Sequence, residues 1–239
     1  MKINFKNEVY GYFNEILNAK KVSAFYTQLS NIKNEDEFSC IYTCFDKCKD
    51  NYVLTIDGEN YINPIERYKN KKLVENLAID KTNSKTNSKR IVILLESPHK
   101  DEFTKKFNAP ALGKTGEKLD YYLSCLLKKF KYVNKGDKVF LVNAIQYQCS
   151  LGYPTGCVKK RVFNYLFEKD EVKKDLIERI KRIDPDIICI STTSFCREKV
   201  QKLIVESFTD KVIISSDSHP SMWTTKTKIK EEKNEEEDK

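Results

Sequence analysis

Short apolar runs alternate with longer stretches of helical spacing through the second half of the chain, and that alternation predicts its architecture. Ile91-Val92-Ile93-Leu94-Leu95, Val139-Phe140-Leu141-Val142, Ile187-Ile188-Cys189-Ile190 and Val212-Ile213-Ile214 are near-continuous apolar segments of strand length. Such runs suit strands buried on both faces of a parallel sheet. The expected strands span 91–95, 138–145, 186–191 and 211–215. Leu119, Leu123, Leu126 and Leu127 mark one face of a helix over 116–130, and further helices are expected over 158–168, 171–182 and 194–208. Strands and helices in turn predict an α/β fold, a mostly parallel central sheet flanked by helices on both faces.

The first 89 residues follow a different pattern. Scattered aromatics and leucines among Lys, Asn and Glu predict helices over 4–20, 22–33 and 36–48. Asp57-Gly58 sits between Tyr52-Val53-Leu54-Thr55-Ile56 and Glu59-Asn60-Tyr61-Ile62, which predicts a hairpin. Lys81-Thr82-Asn83-Ser84 is followed by Lys85-Thr86-Asn87-Ser88, a polar repeat expected as an exposed loop or linker. The chain thus divides into a helical and hairpin N-terminal extension (1–89), a main α/β domain (90–223) and a charged tail (224–239) expected to be disordered.

Composition narrows the classes. At 239 residues with 40% hydrophobic positions, the chain can bury a real core. Its net charge is +8 and its tail is near neutral, so the positive excess lies on the remainder. That favours a polyanionic partner, although a lysine-rich composition produces the same number without one. No run approaches the ~20 apolar residues that cross a bilayer. The start, Met1-Lys2-Ile3-Asn4-Phe5, has no apolar signal core, so a cytoplasmic, non-membrane protein is expected. The eight cysteines then read as reduced thiols. Cys40, Cys44 and Cys48 recur every four residues, which is not the usual metal-site spacing. With two histidines, no Walker loop, no GxGxxG and no HExxH, no metal or cofactor is expected.

Both histidines follow strands beside a proline. His99 closes Leu95-Glu96-Ser97-Pro98-His99, and His219 opens His219-Pro220-Ser221. Two other loops stand out. Asn108-Ala109-Pro110-Ala111-Leu112-Gly113-Lys114-Thr115-Gly116-Glu117-Lys118-Leu119-Asp120 opens a helix, and Val139-Phe140-Leu141-Val142 ends in Asn143. In α/β sheets, ligands bind at the carboxyl ends of the strands.

These four segments, in this order, resemble the motifs of the uracil-DNA glycosylase superfamily, above all its iron–sulfur and thermophile-type branches. The resemblance covers about residues 90–223 and leaves the first 89 unexplained. No single motif is specific; the ordered set of four is fairly specific. It implies a uracil-DNA glycosylase-like sheet and a monofunctional, monomeric DNA glycosylase that flips a nucleotide, hydrolyses its N-glycosidic bond and leaves an abasic site. It puts Glu96, Ser97 and His219 at the chemistry, and Asn143, His99 and Ala111 at the base. Lys100, Gly113, Lys114, Thr115, Gly116, Ser221, Met222 and Trp223 fall against DNA, the last two as a wedge.

The departures from the family pattern are informative. Ser97 stands where efficient uracil enzymes hold an aspartate. His99 replaces a glycine and Ala111 a stacking phenylalanine, which suggests a pocket reshaped for a modified base such as those of phage DNA. DNA repair and antiviral defence are the settings this implies. Tyr147 stands at the usual cluster cysteine, with Cys149 and Cys157 off register, so no iron–sulfur cluster is expected.

Plainer readings compete at each residue. His219 and His99 can be ordinary loop histidines, Glu96 a cap or salt-bridge residue, and Asn143 a turn former. Gly113 and Gly116 can serve turn geometry alone, and Trp223 can pack in the core. Lys159-Lys160-Arg161 can be a solvated helix start or a DNA contact. Two other functions stay open: a catalytically weakened glycosylase-like module that binds DNA or a modified nucleotide, and an unrelated α/β hydrolase or transferase acting on nucleosides.

Overall fold

A computed structural model describes residues 48–55, 72–73, 88–99, 102, 110–111, 113–128, 136–149 and 156–232. The expected N-terminal helices, the second hairpin strand, most of the polar repeat, Lys100, Cys40, Cys44 and the last seven residues lie outside them.

The strands are β1 (Asn51–Thr55), β2 (Lys72–Leu73), β3 (Arg90–Leu95), β4 (Lys138–Asn143), β5 (Ile187–Ile190), β6 (Val212–Ser216) and β7 (Ile229–Glu232). They form one sheet in the order β2-β1-β4-β3-β5-β6-β7. β4, β3, β5 and β6 are mutually parallel, and antiparallel strands flank them on both sides. The helices are α1 (Lys114–Lys128), α2 (Gly156–Phe167), α3 (Asp170–Ile183) and α4 (Ser194–Ser207). The α/β architecture therefore holds.

Strand β3 shows why the layers form. Its residues from Ile91 to Leu95 are all buried, and alternate side chains point to opposite faces. Ile91, Ile93 and Leu95 pack with Leu119, Leu123 and Leu126 of α1. Val92 and Leu94 pack on the other face with α2, α3 and α4, among them Phe163, Leu176, Val200 and Ile204. Each such buried aliphatic contributes about 1.5–3 kcal/mol. Helix α3 buries Val172, Leu176, Arg179, Ile180 and Ile183, a helical stripe that contains one charge. It carries Asp170 and Glu171 in its first turn and Lys181 and Arg182 in its last, matching the helix dipole.

Three boundaries differ from the expectation. Helix α1 starts at Lys114 rather than 116, because the Gly113 carbonyl accepts from the amides of Gly116 (2.8 Å) and Glu117 (3.2 Å). Strand β4 ends at Asn143; the Ala144 and Ile145 amides then turn to the carbonyls of Leu95 and Glu96. The tail is ordered as far as Glu232: β7 pairs with β6, Thr227 is buried, and Ile229 packs on the α1 side of the core. The segment before residue 90 is not wholly separate either, since β1 pairs directly with β4. Among the described residues no helix is long and apolar enough to cross a membrane.

The charge inside α3 is fully occupied. Arg179 Nη1 donates to both oxygens of Asp50, at 2.8 and 3.0 Å, and Nε donates to Asp175 at 2.8 Å. Its Nη2 donates to the carbonyls of Asn143 (3.0 Å) and Ala144 (3.3 Å). Removing one member of a buried pair strands the other. Asp50→Ala or Arg179→Met is therefore expected to lower stability by about 3–5 kcal/mol. The double variant Asp50→Leu/Arg179→Met should recover much of that loss. Urea denaturation of the three variants checks both statements, and single-variant losses within the error of the wild type would refute them.

Candidate active site

The chain leaves β3 toward α1 on one face of the sheet and leaves neighbouring β5 toward α4 on the other. Such a divergence opens a crevice at the carboxyl ends of the two strands. Glu96 follows β3 and Thr193 follows β5, so both stand at this point. Asn143 ends β4 beside them, and His219 lies three residues past β6.

The Glu96 carboxylate is buried, and both its oxygens are engaged. Oε1 is 2.9 Å from Lys159 Nζ and also accepts from Ser97 Oγ at 3.3 Å. Oε2 accepts from Thr193 Oγ1. Lys159 comes from the first turn of α2 and turns inward, whereas its neighbours Lys160 and Arg161 are exposed. The three-residue basic run is therefore split, with one side chain in the site and two in solvent. Glu96 takes the salt-bridge role that competed with water activation. Its oxygens hold Lys159, Ser97 and Thr193 in place.

His219 begins the 3-10 turn Pro220–Met222. Its Nδ1 accepts from the Ser221 amide at 3.3 Å and lies 3.0 Å from Ser221 Oγ. An accepting Nδ1 assigns the proton of the neutral ring to Nε2. Burial, together with the positive charges of Lys159 and Arg197, pushes the imidazole down to about 3. Arg197 is anchored on the carbonyls of Asp217 (3.0 Å) and Thr192 (2.9 Å). At neutral pH His219 is thus an uncharged Nε2–H donor whose charged form Lys159 and Arg197 disfavour. Ser221, expected at phosphate, has its hydroxyl turned to the ring and positions it.

Trp223 corrects the sequence expectation. It is 1% exposed and packs with Leu119 and Leu123, so it is not a wedge. Its Nε1 donates to the Ser218 carbonyl at 3.0 Å, which also accepts from Ser216 Oγ at 2.7 Å. Both bonds brace the peptide before His219. Met222, by contrast, is 66% exposed.

A second polar cluster forms around Asn143, which is buried. Its Nδ2 faces Cys48 Sγ at 3.8 Å and also the carboxyl of Glu102. Glu102 is buried too. Desolvation pushes its carboxyl up to about 8, against the opposing pull of the Ala111 and His99 amides, the Asn143 amide and the more distant Lys159 charge. Burial and the nearby acids push the Cys48 thiol above its ordinary range. Ala111 is a further correction. Its side chain packs in the core with Leu119 and Trp223 rather than at a base, and only its backbone meets the cluster. It does so at φ 60°, left-handed backbone that costs a non-glycine residue roughly 1–2 kcal/mol.

The remaining expected contacts are dispersed. His99 is partly buried, and its carbonyl accepts from the Glu102 amide at 2.9 Å. Gly113 caps α1, Lys114 is exposed, Thr115 is partly buried and Gly116 is buried. Neither glycine needs left-handed backbone. Helix α1 packs on the turn that carries Ser221 and Met222. Glu102, Thr193 and Arg197 were not anticipated. Thr193 lies three residues past an apolar strand, close to the signal that singled out Glu96, whereas Arg197 lies inside α4 and Glu102 in a charged stretch with no periodicity. No family model matches the chain, and no curated protein or solved structure matches it either.

The depressed His219 has a measurable consequence. The unfolded ring takes a proton below its ordinary 6.5, while the folded ring resists protonation down to about 3. Its contribution to stability is complete above pH 6.5 and is lost as pH falls toward 3. His219→Gln should therefore gain on the wild type between pH 7 and 5, by at most about 1.4 kcal/mol per pH unit. Parallel denaturation curves for the two proteins would exclude this protonation linkage.

Proposed function

We propose that the chain is a monofunctional DNA glycosylase that excises uracil or a modified pyrimidine and leaves an abasic site. The observation that carries the reading is His219 with its Nδ1 held by the Ser221 amide, which leaves the proton of the neutral ring on Nε2. Base departure places negative charge on a carbonyl oxygen of the base, and a fixed neutral donor stabilises that charge without reorganisation. A charged imidazolium would bind polar ground states as well and discriminate less. Lys159 and Arg197 add positive potential where the base becomes an anion.

Other features fit the same reading. Asn143 offers an amide to the base edge, as the ordered motifs imply. Met222 is exposed on the turn that follows His219, where an apolar side chain fills the gap left by a flipped nucleotide. The positive net charge suits a DNA partner. The engaged oxygens of Glu96 favour electrostatic support over water activation, so slow turnover is expected. The same observation favours the second reading, a module that binds DNA or a modified nucleotide with little hydrolysis.

The test incubates uracil-containing oligonucleotides, and genomic DNA carrying modified cytosines, and reveals abasic sites with alkali. Base release is expected from at least one substrate, and His219→Ala should slow it by about 10²–10³-fold, as for loss of one transition-state donor. No base release from any substrate overturns the enzyme reading. Tight binding that weakens steeply with salt would then support the binding module.

A further inference from the structure

The Glu102–Asn143 cluster contains a polar atom that the fold does not satisfy. Glu102 Oε2 is buried, and no hydrogen-bond partner meets it among the described residues. The residue is 5% exposed. Buried polar atoms in native proteins nearly always have partners, so this orphan is a place where a bound ligand would supply one. Its surroundings are built rather than incidental. The amides of His99, at the end of the β3 loop, and of Ala111, in left-handed backbone, face the carboxyl. Asn143 presents its Nδ2 to the same group.

We propose that Glu102 and Asn143 together form the edge that reads the ligand base, with Glu102 as hydrogen-bond donor through Oε2 and Asn143 as acceptor through Oδ1. The inference rests on the glycosylase reading and names the recognition element of that site. The ligand class is a nucleobase with a donor and an acceptor side by side on its pairing edge, as on a pyrimidine at N3 and the 4-substituent. Glu102 reads as a donor only while protonated, and burial keeps it so up to about pH 8. The groups facing it are Cys48 before β1, Asn143 on β4, the amides of His99 and Ala111, and at longer range Lys159 on α2. Cys48 stays a neutral thiol, so the switch belongs to Glu102. Above pH 8 the group becomes acceptor-only and repels the acceptor it had bound.

The experiment measures binding of the whole chain to labelled duplexes by fluorescence polarisation from pH 6 to 9.5. Each duplex carries one 2′-fluoroarabino nucleotide, bearing uracil, cytosine or 5-hydroxymethylcytosine, which resists glycosidic cleavage. Wild-type affinity for at least one probe should fall about tenfold per pH unit above pH 8, the slope for one bound proton. Glu102→Gln keeps a donor in place of the acid. It should bind that probe within about threefold of wild type at pH 7 and stay level to pH 9.5, where roughly 1.4 kcal/mol per tenfold sets the scale. Glu102→Ala should lose at least about tenfold at pH 7. Stability separates folding from recognition. The raised carboxyl stabilises the fold fully below its ordinary 4.5 and loses that contribution as pH rises through about 8. Glu102→Gln should therefore lack that decline and melt cooperatively throughout.

An alkaline limb that persists in Glu102→Gln overturns the proposal, as does Glu102→Gln binding no better than Glu102→Ala. Wild type that binds none of the probes overturns it as well. Failure of the glycosylase reading is seen separately, as absence of base release from unfluorinated strands while the Glu102-dependent binding limb remains.

Discussion

A guanidinium withdrawn from water must be met by protein at its donors, and Arg179 is met on three sides. Asp50, immediately before β1, neutralises it, and Asp175 one turn earlier on α3 aligns it. The carbonyls of Asn143 and Ala144 then take its remaining Nη. These two carbonyls lie where β4 stops laddering and turns. One side chain therefore settles where β4 ends, how α3 lies against it and where the chain enters β1. The adjacent Cys48 amide bonds to the Gln146 carbonyl at 2.8 Å and repeats the tether two residues earlier. A hydrophobic replacement could fill the same volume. It could not cap two carbonyls at a strand end, and Asn143 owes its fixed position to that cap.

The two buried acids at the site show how environment divides one functional group into two roles. Glu96 is met by an ammonium and two hydroxyls, so it organises its neighbours through charge. Glu102 is met by amides and a thiol, and its burial outweighs the Lys159 charge, so its neutral form is favoured at physiological pH. Acid and base assignments in active sites commonly rest on such a split. The cations are shared. Lys159 pairs with Glu96 and acts at longer range on Glu102 and His219.

Much of the frame was legible because burial writes itself into composition. Five consecutive aliphatics of strand length, bounded by polar turns, suit a strand covered on both sides, and β3 is one. Leu119, Leu123 and Leu126 share a helix face, and all three are buried. The strand-end loops were legible for the same reason, since a polar residue just past such a run must stand at the sheet's edge. Pairings across the sheet were not legible. Lys159 sits in a basic run that looks solvated, and its partner is 63 positions away. Strand β7 hides one useful apolar residue, Ile229, among charges that belong to an exposed edge. Trp223 fitted a wedge or a core by position alone. Its burial against Leu119 and Leu123 decided between them, and no local pattern encodes that packing.

Trp223 is the chain's only tryptophan, and it is bonded to the peptide that leads into His219. All indole emission therefore originates within four residues of the central histidine. Any event that lifts that turn from α1, frees the Ser218 carbonyl or admits water beside the ring changes the dipolar surroundings of one fluorophore. The protein carries a built-in optical gauge of the turn that holds His219, with no second indole to dilute the signal.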